Sequence, residues 1–176
     1  MGIMKQLLLD VLCLIWAINI CGQENLMVGT WIGTYNGRNY DESSGTSAYV
    51  PKKLYIRINK YGDDYKIRMK EVDTKDQSNV WYFDGDYSVL NSDDTSIYFT
   101  YTDKMGKNYS NDKITSMDQR ETHFLLTWHN GMIHISPVKK ILIEYNSDGR
   151  LLSRTDISEF GYIINDLDLF KEENDW

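Results

Sequence analysis

The chain has 176 residues with 26 acidic against 19 basic side chains, a formal net charge of −7 that opposes phosphate backbones and argues against nucleic acid as a partner. Its 41% apolar residues suffice for one globular domain with a continuous core. Thirteen Tyr and five Trp beside only two Pro weight the composition toward strands.

Lys5 precedes an apolar stretch from Leu7 to Ile20, and the chain turns polar at Gly22-Gln23-Glu24-Asn25. That layout predicts a signal-peptide helix over 1–22, followed by a single exported domain over 23–176 that is periplasmic, cell-surface or secreted. Asp10 inside the apolar run and the bulky Ile20 depart from the pattern. Two processing schemes remain: cleavage after Gly22, or lipidation of Cys21, which is then the one route to a membrane. Both cysteines, Cys13 and Cys21, fall in this leader. The domain beyond it therefore has no disulfide and no thiol for nucleophilic or metal chemistry.

Thr30 to Tyr35 reads as a first strand, with Trp31 and Tyr35 on one face because side chains alternate. The polar run Asn36 to Ser47 reads as a long loop. Leu54, Ile56 and Ile58 then alternate with Tyr55, Arg57 and Asn59. After the turn at Gly62, Tyr65, Ile67 and Met69 alternate with Lys66, Arg68 and Lys70. This is a hairpin with one apolar and one cationic face. Trp81, Phe83, Tyr87 and Val89 continue the period of two through Gly85, where a bulge or bend is expected. Ile97, Phe99 and Tyr101 form the next set, and Asp103 to Lys113 is a polar loop with room for a short strand.

Phe124, Leu126 and Trp128 run into Asn130-Gly131, whose tolerance of positive φ predicts a two-residue hairpin. That register sets Trp128 opposite Ile133 and Leu126 opposite Ile135. Pro137 marks a strand end or an edge. Ile141, Ile143 and Tyr145 lead to a turn at Asn146 to Gly149, and Arg150 to Thr155 return. The segment Gly161 to Phe170 fits either a strand or a short helix. Roughly eight to eleven short antiparallel strands predict an all-β, up-and-down barrel, since closure removes exposed edges.

The opening Asn25 to Trp31, with Gly29-Thr30-Trp31 entering the first strand, resembles lipocalins and related calycin barrels. The resemblance implies that Trp31 closes one end of the barrel under a cation from near the last strand, supplied by Arg150 or Arg154. The family's second and third motifs are not clearly present, and its common disulfide has no cysteines here.

His123, His129 and His134 all lie in the Asn130-Gly131 hairpin on the face opposite Phe124 and Leu126. No carboxylate joins them there, so solvated imidazoles are expected rather than a metal site. Asp63-Asp64, Asp84 with Asp86, and Asp93-Asp94 sit at turns, where Asp bonds its own backbone. No hydrolase, phosphate-loop or calcium-loop motif occurs. The sequence thus predicts neither an enzyme nor a cofactor. It predicts a lipocalin-like binding protein for a small apolar or amphipathic ligand, with Trp31, Phe83, Phe99 and Trp128 lining the cavity. The alternative is an adhesion or protein–protein module in which those residues fill a solid core.

Overall fold

A computed structural model describes residues 25–41, 45–160 and 164–173. The expected leader over 1–22, with Cys13 and Cys21, lies outside them. The described residues form eleven strands and no α-helix. In chain order these are β1 (Gly29–Asp41), β2 (Thr46–Tyr61), β3 (Asp64–Asp73), β4 (Val80–Tyr82), β5 (Asp86–Ser92) and β6 (Ser96–Thr102). They are followed by β7 (Gly106–Ser110), β8 (Lys113–His129), β9 (Met132–Asn146), β10 (Leu151–Asp156) and β11 (Leu167–Glu172). One antiparallel sheet runs β4-β3-β2-β1-β11-β9-β8-β6-β5, with β7 added to β8 and β10 to β9.

Alternation builds the core. Trp31 lies opposite Ile56, Ile56 opposite Met69, Phe99 opposite Phe124, and Leu126 opposite Ile135, so each ladder step delivers apolar side chains to the same face. The expected hairpin forms at Asn130 and Gly131, both at positive φ (49° and 84°), and Trp128 pairs with Ile133. β8 and β9 have 17 and 15 residues. At roughly 3.3 Å per residue they outrun a single neighbour. Near the turn they are flanked by β6 and β11, and further out by β7 and β10.

Three expectations change. The run Asn36 to Ser47 is largely ladder, because Asn36 to Asp41 pair with Pro51 to Thr46. Backbone pairing there overrides the low strand propensity of Asn, Gly and Ser. Pro137 lies inside β9, opposite Phe124, at a bulge where the register skips Val138. The bulge releases the ladder from needing a proline N–H. The segment from Trp81 to Val89 is two strands on opposite edges of the sheet, since β4 pairs β3 and β5 pairs β6. Gly85 makes that crossing: a Cβ there would sit 2.0 Å from the Thr102 carbonyl oxygen.

The sheet is also not closed into a barrel, because no ladder joins β3 to β5. It curls until the two lie side by side, and a side chain seals the seam. The Tyr87 hydroxyl accepts from the Met69 N–H at 3.2 Å and donates to the Phe83 carbonyl at 2.7 Å, while the Phe83 N–H donates to the Met69 carbonyl at 3.2 Å. One phenol thus stands in for peptide groups that a continuous ladder would supply. The undecided tail resolves in part as a strand. β11 inserts between β1 and β9, antiparallel to both.

Candidate functional site

The four residues expected to line a cavity are brought together, three of them inside one buried cluster with Trp128 half-buried against it. Trp31 is 1% exposed, Phe99 0% and Phe83 7%. The wall of a ligand cavity keeps surface that a water-sized sphere can touch, and Trp31 and Phe99 keep essentially none. Phe99 stacks on Phe124 with centroids 5.3 Å apart and on Tyr87 at 6.4 Å, so the space in front of its ring holds other rings. The Trp31 indole N–H donates to the Met27 carbonyl at 2.9 Å, tying the entry turn to the core.

The cation over Trp31 is Lys171, on β11, with Nζ 6.0 Å from the ring centroid. Neither expected arginine takes that place. Arg154, on β10, donates to Glu121 at 2.9 Å, and Arg150 is exposed at the end of the Asn146 turn. The register explains the exchange: β11 rather than β10 pairs with β1, opposite Trp31.

Where β6, β8 and β9 leave the core, Asp103, Arg120 and Lys140 converge on a cleft floored by Phe83, Tyr101 and Ile164. Burial raises the Asp103 carboxyl above its ordinary range, against the pull of Arg120 and Lys140. Burial and the neighbouring Arg120 lower the Lys140 ammonium, and burial pushes the Tyr101 phenol up to about 12. Perturbed ionisable groups over an apolar floor mark a candidate site on physical grounds. Its free volume of about 10 Å³ admits one water rather than an organic ligand. Across β1, β2 and β3, the Tyr35 hydroxyl and the Lys52 ammonium both meet the buried Glu71 carboxylate. Burial, then Glu71, drives the Tyr35 phenol strongly upward. Sequence reading found neither cluster, because their members lie on separate strands and carry no spacing motif.

The histidines separate. His123 Nδ1 meets the Tyr98 hydroxyl at 2.7 Å and its Nε2 meets Glu121 at 3.0 Å, continuing to Arg154 as an outward-facing network. His134 meets Asp168 at 2.7 Å, and His129 meets Asn130. Among the described residues no three His, Cys, Asp or Glu side chains are placed to hold a metal ion. The turn carboxylates hold turns. Asp93 accepts from the N–H groups of Thr95 and Ser96 at 2.8 and 2.7 Å, which depresses its own titration, and Asp84 pairs with Lys104.

The outer face of β2 and β3 carries a different chemistry. Tyr55 lies opposite Lys70, Arg57 opposite Arg68, Asn59 opposite Lys66, and Lys53 opposite Val72. Lys70 is also opposite Tyr82 on β4, and its Nζ lies 4.8 Å from the Tyr55 ring centroid. No family model, curated protein or solved structure matches the chain.

Proposed function

We propose that the chain is an exported recognition module that acts through its outer surface, its curled sheet serving as a solid support. The observation that carries this reading is the interior itself. Trp31, Phe99, Ile56 and Leu126 belong to one buried cluster and are 0–1% exposed, and the cleft at its Phe83 and Phe124 edge is water-sized. A lipocalin-like pocket for an apolar or amphipathic ligand requires an enclosed space of roughly 300 Å³ or more. The outer faces and arms supply the contact chemistry instead. Trp81, Tyr82, Tyr49 and Tyr109 are exposed, and aromatic side chains of this kind anchor recognition surfaces. Export follows from the leader's layout and places the partner outside the cytoplasm.

Two measurements test the reading together. Native mass spectrometry of protein taken from its producing cells is expected to give the mass of the polypeptide without a retained small molecule. Titration with a fluorescent apolar probe is expected to show no saturable uptake. A stoichiometric bound lipid or probe would overturn the surface reading and restore the enclosed ligand. N-terminal sequencing of the extracellular fraction is expected to begin at residue 23 or at a blocked Cys21, and a cytosolic chain that retains its leader would remove the export claim.

A further inference from the structure

We infer that Asn130 is a self-modification site: the Gly131 backbone nitrogen closes on the Asn130 side-chain amide, ammonia leaves with a proton from His129, and water opens the resulting ring to aspartate or isoaspartate. This chemistry is independent of the surface reading above. It favours asparagine followed by glycine, whose backbone nitrogen no Cβ shields. The chain has two such pairs, Asn36-Gly37 and Asn130-Gly131. The fold treats them in opposite ways. Asn36 and Gly37 sit within β1, paired with Pro51 and Val50, and a Cβ on Gly37 would lie 2.4 Å from the Lys52 Cδ. Asn130 and Gly131 lie beyond the last β8–β9 pair, His129 with Met132, and both are exposed. A Cβ on Gly131 would meet nothing within 4 Å beyond its chain neighbours, so the Asn130 side chain has room to swing over the Gly131 nitrogen.

The proton donor is already in place. His129 Nε2 lies 2.9 Å from Asn130 Nδ2, the atom that departs. The Gly131 nitrogen gives its proton to water and bonds to the Asn130 Cγ, which becomes tetrahedral. Nδ2 is then an amine with a free lone pair, and a protonated His129 ring delivers a proton to it as a general acid. The Cγ–Nδ2 bond breaks, ammonia leaves and a cyclic imide remains. Water adds to one imide carbonyl and cleaves its C–N bond. Opening at Cγ restores the main chain with an aspartate side chain, and opening at the backbone carbonyl routes the main chain through the side chain as isoaspartate. A turn tip opens more readily than a ladder step, so the rotation that ring closure needs is available at Gly131 and resisted at Gly37. Isoaspartate adds a main-chain carbon to a two-residue turn whose twist matches its strands, so the reaction loosens the β8–β9 register from its tip. The change accumulates with time and marks the age of the chain.

The test follows the full exported chain held at neutral pH and physiological temperature in heavy-oxygen water. Peptide mapping reads the oxygen incorporated at each asparagine, and enzymatic methylation of isoaspartyl groups reads the rearranged product. Label is expected to accumulate at Asn130 and to enter Asn36 about tenfold more slowly or less, because ladder opening must precede attack there. In urea that unfolds the chain, the Asn36 rate should rise toward that of Asn130. H129A is expected to slow the reaction at Asn130 about tenfold, below the usual range for a general acid because the ring is exposed. Added imidazole should restore part of that rate, while the melting temperature and hydrogen exchange at the Met132 amide stay at their parent values. The inference is overturned if Asn130 stays unlabelled, if Asn36 reacts as fast in the folded chain, or if unfolding does not accelerate Asn36. It is equally overturned if H129A reacts at the parent rate, or if its slower reaction is not relieved by imidazole.

Discussion

Replacing Phe99 by Ala separates a filled interior from a hollow one. Phe99 is fully buried, with Phe124 and Tyr87 against its ring. Loss of the ring forfeits about 2–3 kcal/mol of transfer free energy and about 0.5–1.5 kcal/mol of ring–ring attraction. A void of roughly 100 Å³ that did not relax would add about 2 kcal/mol at 24 cal/mol per Å³, and partial collapse returns some of it. The expected destabilisation is about 3–5 kcal/mol. In urea titration, with a slope of about 2 kcal/mol per M, the midpoint should fall by about 2 M. The variant should also gain affinity for a benzene-sized guest that the parent chain refuses. A loss below about 1.5 kcal/mol, with benzene already bound by the parent, would mean that the ring faces empty space and would refute the packing argument.

Two further outcomes follow from the seam and from the buried phenols. Tyr87→Phe keeps the ring but strips the hydroxyl from the Met69 N–H and Phe83 carbonyl; it should cost about 1–3 kcal/mol and speed hydrogen exchange at the Met69 amide, and unchanged exchange there would show that the hydroxyl does not hold the seam. Burial raises the phenols of Tyr101, Tyr87 and, with added repulsion from Glu71, Tyr35 above the ordinary value of 10.0. The folded chain therefore keeps protons that an unfolded chain releases. Their stabilisation is complete below pH 10 and is lost as pH rises through about 12, where Tyr101 titrates. The melting temperature should be flat from about pH 8 to about pH 9.5 and fall above about 10 as the unfolded chain begins to lose these protons. Ultraviolet titration that ionised all thirteen tyrosines near pH 10 with the fold intact would contradict this.

Much of the architecture was legible because the period of two is a local signal. Leu54, Ile56 and Ile58 announce a half-buried strand by themselves, and Asn130-Gly131 sets the β8–β9 register without reference to the rest of the chain. What escaped depends on partners distant in sequence. That β11 lies between β1 and β9 decides which cation covers Trp31, and nothing near Arg150, Arg154 or Lys171 encodes that choice. The seam is similar, since the period of two runs unbroken from Trp81 to Val89 while Gly85 moves the chain to the other edge. The Asp103, Arg120 and Lys140 cleft was unreadable for the same reason. The cationic face of β2 and β3 was plain in the alternation.

Methyl-resolved NMR under titration with a small apolar probe addresses the solid interior most directly. The methyl signals of Ile56, Ile97, Leu126 and Ile135, all without exposure, should stay fixed through saturation, while those of exposed Leu90 and Leu152 shift weakly and without a plateau. A saturable shift confined to the four interior residues would place the probe within the curled sheet and contradict the account.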